Sequence, residues 1–140
     1  MDAARLRVAN GDRMAVSAAR MVYGLSLIAF GAAHFAYAKQ TASLVPGWLP
    51  FPLMWAWLTG GTYIAAGMAL LSNVLARLAA ILAAVQMGLF TLLVWVPLIL
   101  AGARDPSQWT ETLISLALTT AGWVFADAAR GTALHAGRYS

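Results

Sequence analysis

The chain has 140 residues, 61% of them hydrophobic and 10% charged, with a net charge of +4 and no cysteine. A soluble domain is about half apolar and about a quarter charged, so a mean hydropathy of +0.73 with so few charges excludes a soluble fold that covers its own surface. The missing cysteines exclude disulfide exchange, thiolate nucleophiles, iron–sulfur ligation and cysteine–zinc sites, and the isolated arginines, set at the ends of apolar runs, are charges for lipid headgroups rather than for nucleic acid.

The first apolar run covers residues 21–38, between Arg20 and Lys39. Its 18 uncharged residues are enough for a crossing, since the hydrocarbon is about 30 Å thick and a helix rises about 1.5 Å per residue. Ala36-Tyr37-Ala38 imitates a signal-peptidase site. The length of the run and the bulky His34, Phe35 and Tyr37 in its last turn favour a retained helix.

Residues 39–52 hold Pro46, Pro50 and Pro52 with Trp48 and Phe51 between them. Three prolines so close forbid a continuous helix, and the aromatic rings suit the headgroup layer. An interfacial or re-entrant loop is expected there. The second span is expected over 53–71 and the third over 78–100, with Pro97 kinking or ending the latter. The fourth is expected over 110–129. Only 15 residues separate Glu111 from Asp127, about 22 Å of helix, so both acids belong at an interface or against protein.

Seven of the nine basic residues (Arg5, Arg7, Arg13, Arg20, Arg77, Arg130 and Arg138) fall on one side of these spans, and only Lys39 and Arg104 fall on the other. The positive-inside rule then puts both termini in the cytoplasm and the 39–52 and 101–109 loops outside. The fold class expected is all-α, an integral membrane antiparallel four-helix bundle forming one domain over residues 1–140. Gly24 with Gly31, and Gly60 with Gly67, recur at seven-residue spacing, while Ala80, Ala84 and Gly88 share a stripe, as do Gly122 and Ala126. Small residues so placed let helix backbones approach closely in lipid. A ligand groove floored by the glycines is the other reading.

His34 is the ionisable residue expected within the membrane, and such a group is a candidate site because its burial is costly. A neutral imidazole bonded to a neighbouring helix is the structural alternative. The second histidine, His135, falls in the C-terminal tail, so no pair of ligands is on offer for haem or a metal. Antiparallel packing would gather His34, Tyr37, Trp55, Thr59, Trp95 and Glu111 into one outer layer, with Tyr63 continuing the Trp55–Thr59 face. That layer suits either a quinone headgroup or an ordinary aromatic belt. Gln86, mid-span in the third helix, needs a hydrogen-bond partner, which Tyr23, Ser26, Thr62, Thr91 or Ser115 would supply.

Phe30-Gly31-x-x-His34-Phe35, Val45-Pro46-x-Trp48-Leu49-Pro50, Trp55-x-x-x-Thr59-Gly60, Ala65-Ala66-Gly67, Arg77-Leu78-Ala79-Ala80 and Trp95-Val96-Pro97 together resemble the DoxX family of small four-helix bacterial membrane proteins. The resemblance runs from Gly24 to Asp127. It implies a multi-pass protein of the bacterial cytoplasmic (inner) membrane, linked with redox complexes, quinones or membrane-protein chaperones. The function expected is a non-catalytic subunit or scaffold that engages a quinone, a lipid or a partner protein in the outer half of the bilayer. A subunit of a quinone-linked oxidoreductase and a membrane-protein folding chaperone are the alternatives. The partners expected are the lipid bilayer, a membrane or redox subunit, and a second copy of the chain.

Overall fold

The computed structural model describes residues 3–102 and 104–136, and every element among them is helical. Arg138, counted above among the cytoplasmic charges, lies outside the described residues. The helices are α1 (Ala3–Ala36), α2 (Ala38–Ser43), α3 (Pro52–Ser72), α4 (Ala76–Phe90), a π-helical turn (Thr91–Trp95), α5 (Val96–Leu100) and α6 (Pro106–Ala136). Two helical stretches, Asn10–Ala36 and Ala76–Leu100, are long and apolar enough to cross a membrane by length and composition.

Element ends follow local chemistry. α3 starts with Pro52 in its first turn and stops at Asn73, which adopts the left-handed conformation at φ 59°; proline suits a first turn and asparagine a left-handed C-terminus. α1 extends far upstream of the apolar run, where the helix formers Ala, Arg, Leu and Met outnumber Asn10, Gly11 and Asp12. The segment expected as a loop from Lys39 begins instead as α2 and turns irregular only from Leu44, where Pro46 disfavours helix at the residue before it. α6 begins at Pro106, four residues before the expected start. The Asp105 carboxylate accepts the Ser107 N–H at 2.9 Å and caps that helix. His135 lies in the last turn of α6.

Pro97 lies in the last turn of the third helical stretch, which ends at Leu100. The turn before it opens into π-helix, with the Val96 N–H donating to the Thr91 carbonyl. A proline ring clashes with the carbonyl four residues back, and a wider turn relieves that clash while the helix continues.

Contacts run from α1 to α3, α3 to α4, α4 to α6 and back from α6 to α1. Small residues set the spacing. Gly24 lies against Gly67 and Gly31 against Gly60, so the two glycine pairs meet each other in antiparallel register. Gly122 lies against Ala84 and Ala80. On the closing side, Tyr23 donates its hydroxyl hydrogen to the Leu118 carbonyl at 3.2 Å. The core is built from Tyr23, Leu27, Tyr63, Leu70, Met87, Phe125 and the alanines of α4.

Candidate functional site

The buried face of α3 is Ala56, Gly60, Tyr63, Gly67 and Leu70, a three-and-four spacing that stays on one side of a helix. Trp55 and Thr59 lie beside that face, half-buried. Four residues turn a helix about 40° past a full circle, so Trp55 and Tyr63 diverge by about 80°. Tyr63 therefore enters the core while Trp55 and Thr59 turn toward the outside of the α3–α4 seam. His34 and Trp95 lie in an interior region, and Trp55 and Thr59 in a separate lateral one.

The first region is interior. His34 is 7% exposed, and its Nδ1 lies 2.8 Å from the Phe30 carbonyl oxygen. A carbonyl only accepts, so Nδ1 carries the hydrogen and donates it. The imidazole packs against Phe30 at 5.1 Å and edge-on to Tyr63 at 5.6 Å between ring centroids. Tyr63 in turn donates to the Met87 sulfur at 3.4 Å. Trp95 is also interior, at 6% exposure, and its indole Nε1 has no hydrogen-bond partner among the described residues. The remaining buried polar side chains, Thr91, Thr112 and Ser115, belong here as well. Thr91 bonds the Met87 carbonyl at 2.8 Å and Thr112 the Gln108 carbonyl at 2.7 Å, whereas Ser115 Oγ has no partner among the described residues. Sequence reasoning named Thr91 and Ser115 only as partners for Gln86, and missed Thr112. The signal was present: Thr112, Ser115, Thr119, Gly122 and Ala126 repeat at spacings of three and four along α6.

The second region is a lateral groove of ≈190 Å³ between α3 and α4, roofed by α2 and the residues after it. Trp55, Thr59, Gln86, Leu89, Phe90 and Val94 line it. The Trp55 indole donates to the Pro50 carbonyl at 3.0 Å and so ties the proline-rich segment over this opening. Gln86 stands at the floor. Its Nε2 donates to the Thr59 carbonyl at 3.3 Å, and its Oε1 accepts from the Thr62 hydroxyl at 2.8 Å. The side-chain nitrogen has a second hydrogen for which no partner occurs among the described residues.

Two expected members join neither region. Tyr37 stands at the break between α1 and α2, 62% exposed. Glu111 is half-buried in the first turns of α6 and does not line the groove. No group of three or more His, Cys, Asp or Glu that would hold a metal occurs among the described residues. No protein-family model, curated protein or solved structure matches the chain.

Proposed function

We propose that the chain is a non-catalytic subunit or scaffold of the bacterial cytoplasmic membrane. It crosses the bilayer four times as an antiparallel bundle with both termini in the cytoplasm, and it holds a flat amphiphile such as a quinone in the α3–α4 groove. The observation that supports the membrane reading is the distribution of side-chain size. In α4 and the turn that follows, Ala76, Ala79, Ala80, Ala83 and Ala84 are buried, while Leu78, Leu82, Leu89, Leu92 and Leu93 are exposed. α3 exposes Leu53, Met54, Trp57, Leu58 and Met68, and α6 exposes Leu113, Ile114, Leu116, Trp123 and Val124. A bundle in water buries its large apolar side chains, and exposed apolar patches on a soluble monomer are limited to a few hundred Å². Small residues between helices with bulky ones outside is an arrangement for lipid.

The groove supports the ligand reading. A dry cavity of about 150 Å³ accommodates benzene, so ≈190 Å³ takes one six-membered ring. The chemistry of the lining fits a quinone: Trp55 and Phe90 offer aromatic surface, and the Gln86 amide offers a hydrogen to a carbonyl. A bound quinone would supply two-electron redox chemistry, while these residues bind and orient its ring. The DoxX resemblance favours the same class of occupant.

The test is purification in mild detergent, followed by extraction and chromatography of whatever is bound. Near-stoichiometric quinone is expected with the native chain. It should be lost in Leu89→Trp, which fills the groove from its exposed edge and leaves the melting temperature unchanged. Phospholipid alone in both preparations would overturn the quinone assignment.

A further inference from the structure

We propose that the interior polar region carries a second binding site, separate from the groove, which holds a small protic ligand, water in the first instance, between Ser115, Trp95 and His34. Depth can be read from helix contacts. Tyr63 meets Met87. One turn outward along α3 is Gly60, where an added methyl group would lie 2.8 Å from His34 Cβ. One turn outward along α4 is Thr91. Across to α6, a methyl group on Gly88 of α4 would lie 3.5 Å from Thr119 Cγ2. Thr91 stands about 4.5 Å beyond Gly88, and Ser115 about 6 Å beyond Thr119 in the same direction. His34, Thr91 and Ser115 thus share one depth. Trp95 belongs to the next turn, but its ring reaches back to within 5.9 Å of the Phe90 ring, as side chains leaning toward a helix N-terminus do.

The hydrogen-bonding inventory then selects the ligand. Trp95 Nε1 is buried and only donates, so it requires an acceptor. His34 has committed Nδ1–H to Phe30, and the Nε2 of a neutral ring so bonded accepts a hydrogen. Ser115, fully buried, can play either part and has no partner among the described residues. A molecule that donates and accepts at once satisfies all three. Water does so, and buried waters characteristically make about three such bonds. The π-helical turn that carries Thr91 and Trp95 is a backbone irregularity frequent at functional sites.

Water is the probe in the experiment. The isotopically labelled chain is placed in phosphatidylglycerol nanodiscs, and magnetisation transfer from water to side-chain protons is recorded by NMR, with the Trp95 indole signal assigned by its disappearance in Trp95→Phe. A transfer peak from water to the Trp95 indole hydrogen, together with a His34 Nε2 nitrogen shift typical of a hydrogen-bonded lone pair, is expected in the native chain. Ser115→Ala should abolish or greatly weaken that peak and move the Nε2 shift toward its unbonded value. Absence of the peak in the native chain overturns the proposal whether or not the variants fold. A peak that Ser115→Ala leaves intact overturns the assignment of Ser115. Neither outcome touches the quinone measurement, so the two sites are tested apart.

Discussion

Gly24 and Gly67 meet backbone to backbone: a methyl group added to Gly67 would lie 2.5 Å from the Gly24 carbonyl oxygen and 2.6 Å from Ile28 Cγ1. No real Cβ tolerates the first distance, and the obstacle is backbone, which cannot rotate away. Gly67→Ala must therefore push α1 from α3. Overpacking of this kind costs about 1–3 kcal/mol, read as a lower midpoint of thermal unfolding in detergent. Gly61, in the same helix, has no atom within 4 Å of an added Cβ. Gly61→Ala should raise the midpoint, because alanine is better than glycine inside a helix by about 1 kcal/mol. Equal effects of the two substitutions would refute the α1–α3 packing.

The Gln86 side chain joins α4 to α3 through the Thr62 hydroxyl and the Thr59 carbonyl. Hydrogen bonds between membrane helices average about 0.6 kcal/mol in double-mutant cycles and reach about 1.7. A cycle built on Gln86→Leu and Thr62→Val should return a coupling in that range. A coupling indistinguishable from zero would show that the pair is separated in the protein.

These contacts mark what the sequence discloses and where it stops. The bounds of α3 are legible because Pro52 and Asn73 are chemical punctuation and no charge interrupts the stretch between them. The seven-residue recurrence of Gly24, Gly31, Gly60 and Gly67 is legible as close packing. Their mutual pairing is not, because a single stripe does not name the helix that it meets. Trp55, Thr59 and Tyr63 read as one face in the sequence, but a four-residue spacing drifts around the helix, so Trp55 and Tyr63 end on different sides. Ser115 is legible as part of the small and polar stripe along α6, but that stripe does not name the helix it meets. Its burial comes from the register of α6 against α4, which Gly88, Thr119 and Gly122 fix together.

Leu75 stands in the left-handed region at φ 52° just before α4, and it is 70% exposed. That conformation costs an ordinary residue about 1–2 kcal/mol, and asparagine tolerates it far better. Asn73, two residues earlier, already does so at φ 59°. Leu75→Asn should therefore stabilise the α3–α4 turn by about 1 kcal/mol, read as a higher unfolding midpoint. Leu75→Val should do the reverse, since a β-branched side chain fits this region worst.

The absence of cysteine makes the proposed four-crossing arrangement directly testable, because any thiol introduced is the only one present. Gly47 and Ser107 lie in the segments assigned to the outside, and both are exposed; an added Cβ at Gly47 meets nothing within 4 Å. Ser17 and Val74, also exposed, lie at the opposite end of the helices. In intact cells a membrane-impermeant maleimide should label Gly47→Cys and Ser107→Cys, and should reach Ser17→Cys and Val74→Cys only after permeabilisation. The result follows from the charge distribution, since seven basic residues against two orient the chain, and from the antiparallel register of the helices. Labelling of Gly47→Cys and Ser17→Cys from the same side would remove the crossing between them. The α3–α4 groove would then open into the wrong leaflet for the quinone proposed here.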